Sequence, residues 1–252
     1  MVSHLTPTPV SLLARRLRSD PNGPLLTYYD DATGERIELS ARSFDNWVAK
    51  TAGLLQDGLA LEPGAHVRLL LPPHWQTLVW AAAAWSVGAV VSTGDTHGDP
   101  DADIAVAAAG PDRLDEAVAI GADDVLALSL RPLGARMSDP LPDGVVDYAV
   151  EVPSYPDQLV VIMPPEPTDP AFTVAGITQT LHGVVERATE RASVLDIADG
   201  DRILLATDDP VAAIIDSYIV PLAVGGSAVL VRHEDAARRD ARVDQERVTR
   251  AL

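Results

Sequence analysis

The chain has 252 residues, no cysteine, and 37 acidic against 19 basic side chains, a formal net charge of −18. The missing cysteines exclude disulfides, thiolate nucleophiles and cysteine-ligated zinc. The acidic balance argues against a nucleic-acid binder, whose affinity rests on neutralising phosphates, and a lone lysine, Lys50, excludes chemistry that needs two.

At 47% hydrophobic and 22% charged residues the composition is globular, and with only 4% aromatics the core must rest on Ala, Val and Leu. The first residues show no basic stretch followed by an apolar one, as a secretory signal would. The longest apolar stretch, residues 78–91, contains Ser86 and Gly88 and is too short to span a bilayer. The expectation is a cytoplasmic protein without a membrane partner.

Thr8-Pro9 ahead of Val10, Leu12, Leu13 and Leu17 predicts a capped amphipathic helix. Residues 25–29 and 36–39 flank the turn-forming run Asp30-Asp-Ala-Thr-Gly34 and predict a hairpin. Ser40 or Ser43 caps the next helix, with Phe44, Trp47, Val48, Ala52 and Leu55 on one face. Residues 67–71 are a short apolar run, as in a buried parallel strand. A helix apolar nearly all round follows over 75–87, then a strand over 89–91. Residues 104–108, 112–120 and 124–130 read as strand, helix and strand. Residues 148–152 and 159–163 are further predicted strands, and the proline-rich run 164–170 is the predicted boundary.

Beyond that boundary the pattern repeats. Pro170-Ala-Phe-Thr173 echoes Pro24-Leu-Leu-Thr27. Leu181, Val184, Val185 and Arg187 stand 137 positions after Phe44, Trp47, Val48 and Lys50. Gly200-Asp-Arg-Ile-Leu-Leu205 matches the run from Gly64 to Leu71, and the run to Gly225 matches the run to Gly88. The prediction is an α/β fold of two similar lobes with mostly parallel sheets flanked by helices, residues 1–163 and 164–252, forming one compact unit. The second lobe is an incomplete repeat: residues 234–252 read as a charged, solvated helix with no strand after it.

Leu39-Ser-Ala-Arg-Ser-Phe-Asp-Asn-Trp-Val-Ala49, the Pro63-Gly64 turn, Val67-Arg-Leu-Leu-Leu-Pro72 and Ala83-Ala-Trp-Ser-Val-Gly88 resemble the start of the adenylate-forming superfamily, which includes acyl-CoA synthetases. Ala198-Asp-Gly-Asp-Arg202, Pro221-Leu-Ala-Val-Gly225-Gly and Glu246-Arg-Val-Thr249 fit its second lobe. The resemblance covers nearly the whole chain but only about the first half of a typical member. It implies a scaffold cut before the later nucleotide motifs and before the mobile domain that supplies a catalytic lysine.

The family's phosphate loop is rich in Ser, Thr and Gly and ends in Pro-Lys-Gly, so that backbone amides and hydroxyls surround the phosphates. The matching interval, 167–182, has one glycine and no lysine. Thr173, Gly176, Thr178 and Thr180 are either relics of that loop and weak ligand-binding candidates, or a strand, a turn at Gly176 and a helix cap. His182 matches a helix-start region of the family or is structural. Asp208 and Asp209, where the resemblance implies an acyl-pocket wall, are further ligand candidates or a helix cap.

Asp95, His97, Asp99, Asp101 and Asp103 offer oxygen ligands for a hard cation, but Pro100 and the lack of a closing glutamate favour a solvated loop, and no metal is assigned. No Gly-x-Ser-x-Gly elbow is present, and no catalytic residue is assigned. Trp47, Trp75, Trp80 and Trp85 read as core, or in part as a partner surface.

The leading expectation is a truncated, non-catalytic acyl-CoA-synthetase-like protein that acts by binding a protein or a small acyl or nucleotide ligand. No cofactor is assigned, although AMP, ATP and CoA are the ligands the resemblance allows. One alternative is half of a split ligase completed by a partner chain. Another is a structural module that self-associates, as a homo-oligomer, through its unfinished sheet edge.

Overall fold

The computed structural model describes residues 6–94 and 103–252. The first helix, α1 (Pro9–Ser19), opens on a reciprocal cap: the Ser11 amide donates to Thr8 Oγ1, and the Thr8 amide donates to Ser11 Oγ. Strands β1 (Pro24–Asp30) and β2 (Glu35–Ser40) form the expected antiparallel hairpin. Ser40 caps α2 (Ala41–Gly53), which runs on into a π turn, Leu54–Gly58.

Next come β3 (His66–Leu70), α3 (Trp75–Ser86), β4 (Val90–Thr93), β5 (Ile104–Ala109), α4 (Leu114–Ile120) and β6 (Asp124–Ala127). After β7 (Val145–Asp147) and the short α5 (Tyr148–Glu151), the second hairpin is β8 (Pro170–Val174) with β9 (Ile177–Thr180). The chain continues through α6 (Leu181–Val194), β10 (Arg202–Ala206), α7 (Pro210–Ile214), a π turn, α8 (Val220–Ala223), β11 (Ser227–Arg232), α9 (Arg239–Gln245) and β12 (Arg250–Ala251).

The strands form two mostly parallel sheets, in the orders β12-β10-β11-β1-β2 and β7-β6-β5-β3-β4-β8-β9. The repeat is real in three dimensions. The Gly64 amide donates to the Gly88 carbonyl at 2.8 Å, and the Gly200 amide to the Val224 carbonyl at 2.8 Å. Left-handed backbone recurs at Ala60 and Asp196, with φ of 52° and 53°, and at Gly64 and Gly200, with φ of 85° and 81°.

The hairpins, however, are exchanged. The first hairpin joins the sheet of the second half, with Leu26 opposite Ala228, and the second joins the sheet of the first half, with Val91 opposite Phe172. The 163/164 boundary thus divides the chain in sequence but not the sheets in space.

The register of α2 and α6 differs from the expected 137. Their caps are Ser40 and Thr180, and buried Ala41, Phe44, Val48 and Ala52 correspond to Leu181, Val184, Ala188 and Ala192, an offset of 140. Past the helices the offset is 136, from Gly64 to Gly200. The four extra residues in the first half lie where α2 winds on through its π turn.

Three expected elements are corrected. Residues 148–152 are helical, because the Asp147 carboxylate accepts the Ala149 amide at 3.0 Å and caps α5. The strand is β7, just before it. Residues 159–163 form no strand. The Gln56 side-chain amide takes the place of a neighbouring strand, its Nε2 donating to the Val160 carbonyl and its Oε1 accepting from the Ile162 amide, each at 3.1 Å. The C-terminal helix is short and a strand does follow it. Arg247 turns the chain at φ 52°, and the Thr249 amide donates to the Arg202 carbonyl, setting β12 beside β10.

Helix α3 lies at the centre and is buried along its whole length. Trp75, Trp80 and Trp85 are fully buried, whereas Trp47 is partly buried at the core's margin. At ~25 cal/mol per Å², an indole burying about 150–250 Å² contributes roughly 4–6 kcal/mol as an upper estimate. Trp85 also fastens the exchanged hairpin, donating from Nε1 to the Ala171 carbonyl at 2.7 Å.

Candidate functional site

In open parallel sheets, ligands bind beyond the carboxyl ends of the strands. Here both sheets present such ends to one cleft of about 220 Å³. Its walls are Leu70 at the end of β3 and Pro72 just after it, Gly110 after β5, Leu130 after β6, Asp208 after β10 and Arg232 at the end of β11. Arg113 reaches it from below α4 while held by Glu116, with Nε to Oε2 at 2.7 Å.

The two candidate aspartates part company. Asp208 lines the cleft. Asp209 caps α7, accepting the Val211 amide at 2.8 Å.

The interval matched to the phosphate loop is a closed hairpin. Thr173 stands opposite Thr178, their hydroxyls 2.8 Å apart and bonded to each other. The Thr180 hydroxyl accepts the Gly183 amide at 3.0 Å as the cap of α6. Gly176, at φ 75°, takes the turn next to Ala175. Antiparallel pairing with β8 engages the inward-facing amides of β9, the edge strand of its sheet. None of Thr173, Gly176, Thr178 and Thr180 lines the cleft. His182 holds the N-terminal segment, its Nδ1 3.1 Å from the Pro7 carbonyl oxygen. Lys50 is also occupied, donating to the Tyr155 carbonyl and pairing with Asp157, both at 2.7 Å.

Asp95, His97, Asp99 and Asp101 lie outside the described residues. Among the described residues no three acidic or histidine side chains gather as a metal site, and no helix is long and apolar enough to cross a membrane.

Sequence reading missed a buried titratable pair outside the cleft's lining, His74 and Glu35. His74 caps α3, its Nδ1 accepting the Gln76 amide at 3.2 Å, so the ring proton sits on Nε2. Nε2 lies 4.0 Å from the Glu35 carboxylate and has no hydrogen-bond partner. A histidine directly before an apolar helix was the available signal, but only the fold brings Glu35 to it.

Burial holds the His74 ring below its ordinary value, against the pull of Glu35. The unfolded chain therefore binds this proton first, and its stability contribution is lost as pH falls below about 6.5. His74→Asn keeps an acceptor at the cap and removes the titration. Urea denaturation between about pH 7 and pH 5 should show wild type losing stability more steeply than His74→Asn; parallel slopes would contradict the assignment.

No protein-family model matches the chain. A TIGR03089 family protein of Mycobacterium tuberculosis (strain ATCC 25618 / H37Rv) is 40% identical over 255 residues, covering 98% of this chain and 99% of that protein. The fold is similar to that of a Mycobacterium tuberculosis fatty acyl CoA synthetase, with a TM-score of 0.73 and 20% identity over 97% of this chain. This chain spans 48% of that synthetase's length. The N-terminal domain of FACL13 from Mycobacterium tuberculosis gives the same TM-score, 0.73, at 20% identity, covering 97% of this chain and 62% of that one. The architecture is thus that of an acyl-CoA-synthetase N-terminal domain.

Proposed function

Because the chain belongs to the TIGR03089 protein family and has the fold of an acyl-CoA-synthetase N-terminal domain, we propose that it binds a ligand without adenylating it. The ligand, a small acyl or nucleotide molecule, occupies the cleft at the carboxyl ends of the two sheets. One observation carries this reading: the phosphate-loop interval is a β-hairpin whose threonine hydroxyls bond within the chain. Adenylation requires donors aimed at the transferring phosphates, and this hairpin supports no such array.

The test is ATP–pyrophosphate exchange with a panel of carboxylic acids. The chain alone should give no exchange above background, and robust turnover would overturn the proposal. A thermal-shift series with AMP, ATP, CoA and acyl-adenylate analogues reads binding directly. A ligand at a hundred times its Kd should add about 2.7 kcal/mol of stability. A flat series would shift the reading to a protein partner, and exchange that appears only on mixing with a second chain would support the split-ligase alternative.

A further inference from the structure

A second cavity, of about 450 Å³, lies between α1, α2 and the irregular segment 157–161, and shares no residue with the cleft. Small-molecule sites ordinarily span roughly 300–1,000 Å³ and are mostly apolar with a few placed polar groups. Val10, Ala14 and Leu17 line this one from a single face of α1, Val48 from α2, and Leu159 and Val161 from the segment. All of these except Val48 are only half-buried, so an apolar surface is left facing the cavity.

The polar lining is short, and most of it is spent. Ser86 Oγ donates to the Ala82 carbonyl at 2.8 Å, and Asp157 pairs with Lys50 at 2.7 Å. Gln158 is exposed to solvent. Asp45 is different. It lines the cavity one turn before Val48 and Ala49, and among the described residues its carboxylate accepts no hydrogen bond and joins no ion pair. Burial holds this carboxyl above its usual range, against a weaker pull from Arg42. Unlike the sealed polar atoms of the core, it keeps accessible surface. A half-buried carboxylate without a donor, set among half-covered apolar side chains, calls for a partner that brings both a donor and apolar surface.

We propose that this groove binds an aliphatic ammonium ion, its head at Asp45 and its chain against the apolar stripe of α1. The competing occupants each leave a cost. A fatty acid would set another carboxylate beside Asp45 and Asp157. An alcohol would cover the apolar wall but bring only one neutral donor. A short amine or a metal ion would leave the wall in water. An alkylammonium brings three charge-assisted donors to the carboxylate, and its chain covers the stripe. The net charge of −18 draws such a cation toward the protein.

Calorimetric titration of the full chain with butyl-, hexyl- and octylammonium chloride tests the proposal, with octanol and octanoate as controls. Octylammonium should bind saturably at one per chain, and affinity should rise by up to about fourfold for each added methylene. Octanol should bind at least about tenfold more weakly, because it lacks the charge-assisted contact. Asp45→Asn keeps the shape and removes the charge, so it should weaken octylammonium binding at least about tenfold and leave octanol binding unchanged. Ala14→Phe fills the groove without touching Asp45, and should weaken octylammonium and octanol alike while the melting temperature of the free protein stays the same. Affinity independent of chain length would mean adhesion of cations to an acidic surface and would overturn the proposal. So would the absence of saturable binding, or octylammonium binding indifferent to either substitution. Octanoate binding that Ala14→Phe abolishes would assign the groove to a carboxylate and overturn it as well. Because groove and cleft share no residue, failure here leaves the reading of the cleft intact, and the reverse holds.

Discussion

Glu246→Ala should destabilise the protein by about 3–5 kcal/mol, the cost typical of breaking a buried ion pair from one side. Glu246 is 6% exposed at the end of α9 and serves three donors from both halves of the chain. Tyr29 donates to it at 2.5 Å, Arg36 Nη2 at 2.9 Å and Arg202 Nη2 at 2.7 Å. Arg202, on β10, also donates to Thr27 on β1 at 2.8 Å. Removing the carboxylate leaves the Arg202 charge buried without its anion, next to the strand pairing that holds the first hairpin. Glu246→Gln preserves the shape and loses only the charge, so it should fall between wild type and the alanine variant. Urea denaturation at pH 7 measures both, and a loss below about 1 kcal/mol for alanine would place this network with ordinary surface pairs.

The pH dependence follows from the same contacts. Burial alone would raise the Glu246 carboxyl, but the bonds from Tyr29, Arg202 and Arg36 outweigh it and hold the group below its usual range. A carboxyl depressed in the fold adds stability above its unfolded value of about 4.3, and that contribution disappears as pH falls through the depressed value. The gap between wild type and Glu246→Ala should therefore narrow in acid.

Much of the fold is legible in the residues, because local chemistry decides it. The Asp30–Gly34 turn announces the first hairpin, and the apolar circumference of α3 announces a helix covered on all sides. The threonine and aspartate caps at Thr180 and Asp209 stand where they are expected. What fails is whatever depends on a distant partner. Residues 148–152 carry strand-forming letters, but one capping aspartate outweighs them. Strand β12 has two residues and is defined by bonds from Thr249 and Leu252 to β10, not by an apolar pattern.

The candidate site divides the same way. Asp208 was legible from its place after a parallel strand. Arg232 gains meaning only once the ends of both sheets share one cleft. The approach of His74 to Glu35 sets the loop after β3, in the seven-stranded sheet, against the hairpin that the first half lends to the five-stranded sheet.

That exchange leads to the second large effect: fragments 1–163 and 164–252 should each fail to fold alone and should fold together. The first fragment keeps β1 and β2 but loses β11, to which β1 pairs over Leu26 to Asp30. Its own β4 loses β8, and the Trp85 indole loses the Ala171 carbonyl. Helix α3, buried throughout, keeps its cover from α1 and α2 but loses that from α7, which exposes one apolar side. The second fragment loses Tyr29, Arg36 and Thr27 from around Glu246 and Arg202, leaving two buried charges half-partnered. Two lobes that each closed on their own hairpin would be separable at the proline-rich run 164–170, but with the hairpins traded neither half owns a complete sheet. Since all four tryptophans lie before residue 164, fluorescence reports on the first fragment directly. The isolated fragment should emit as a solvent-exposed indole and show no cooperative urea transition. Adding the second fragment should shift the emission to shorter wavelength and restore a single transition. A cooperative transition in 1–163 alone would mean that the core of the first half closes without the borrowed hairpin, and the exchange would then be a matter of topology and not of stability.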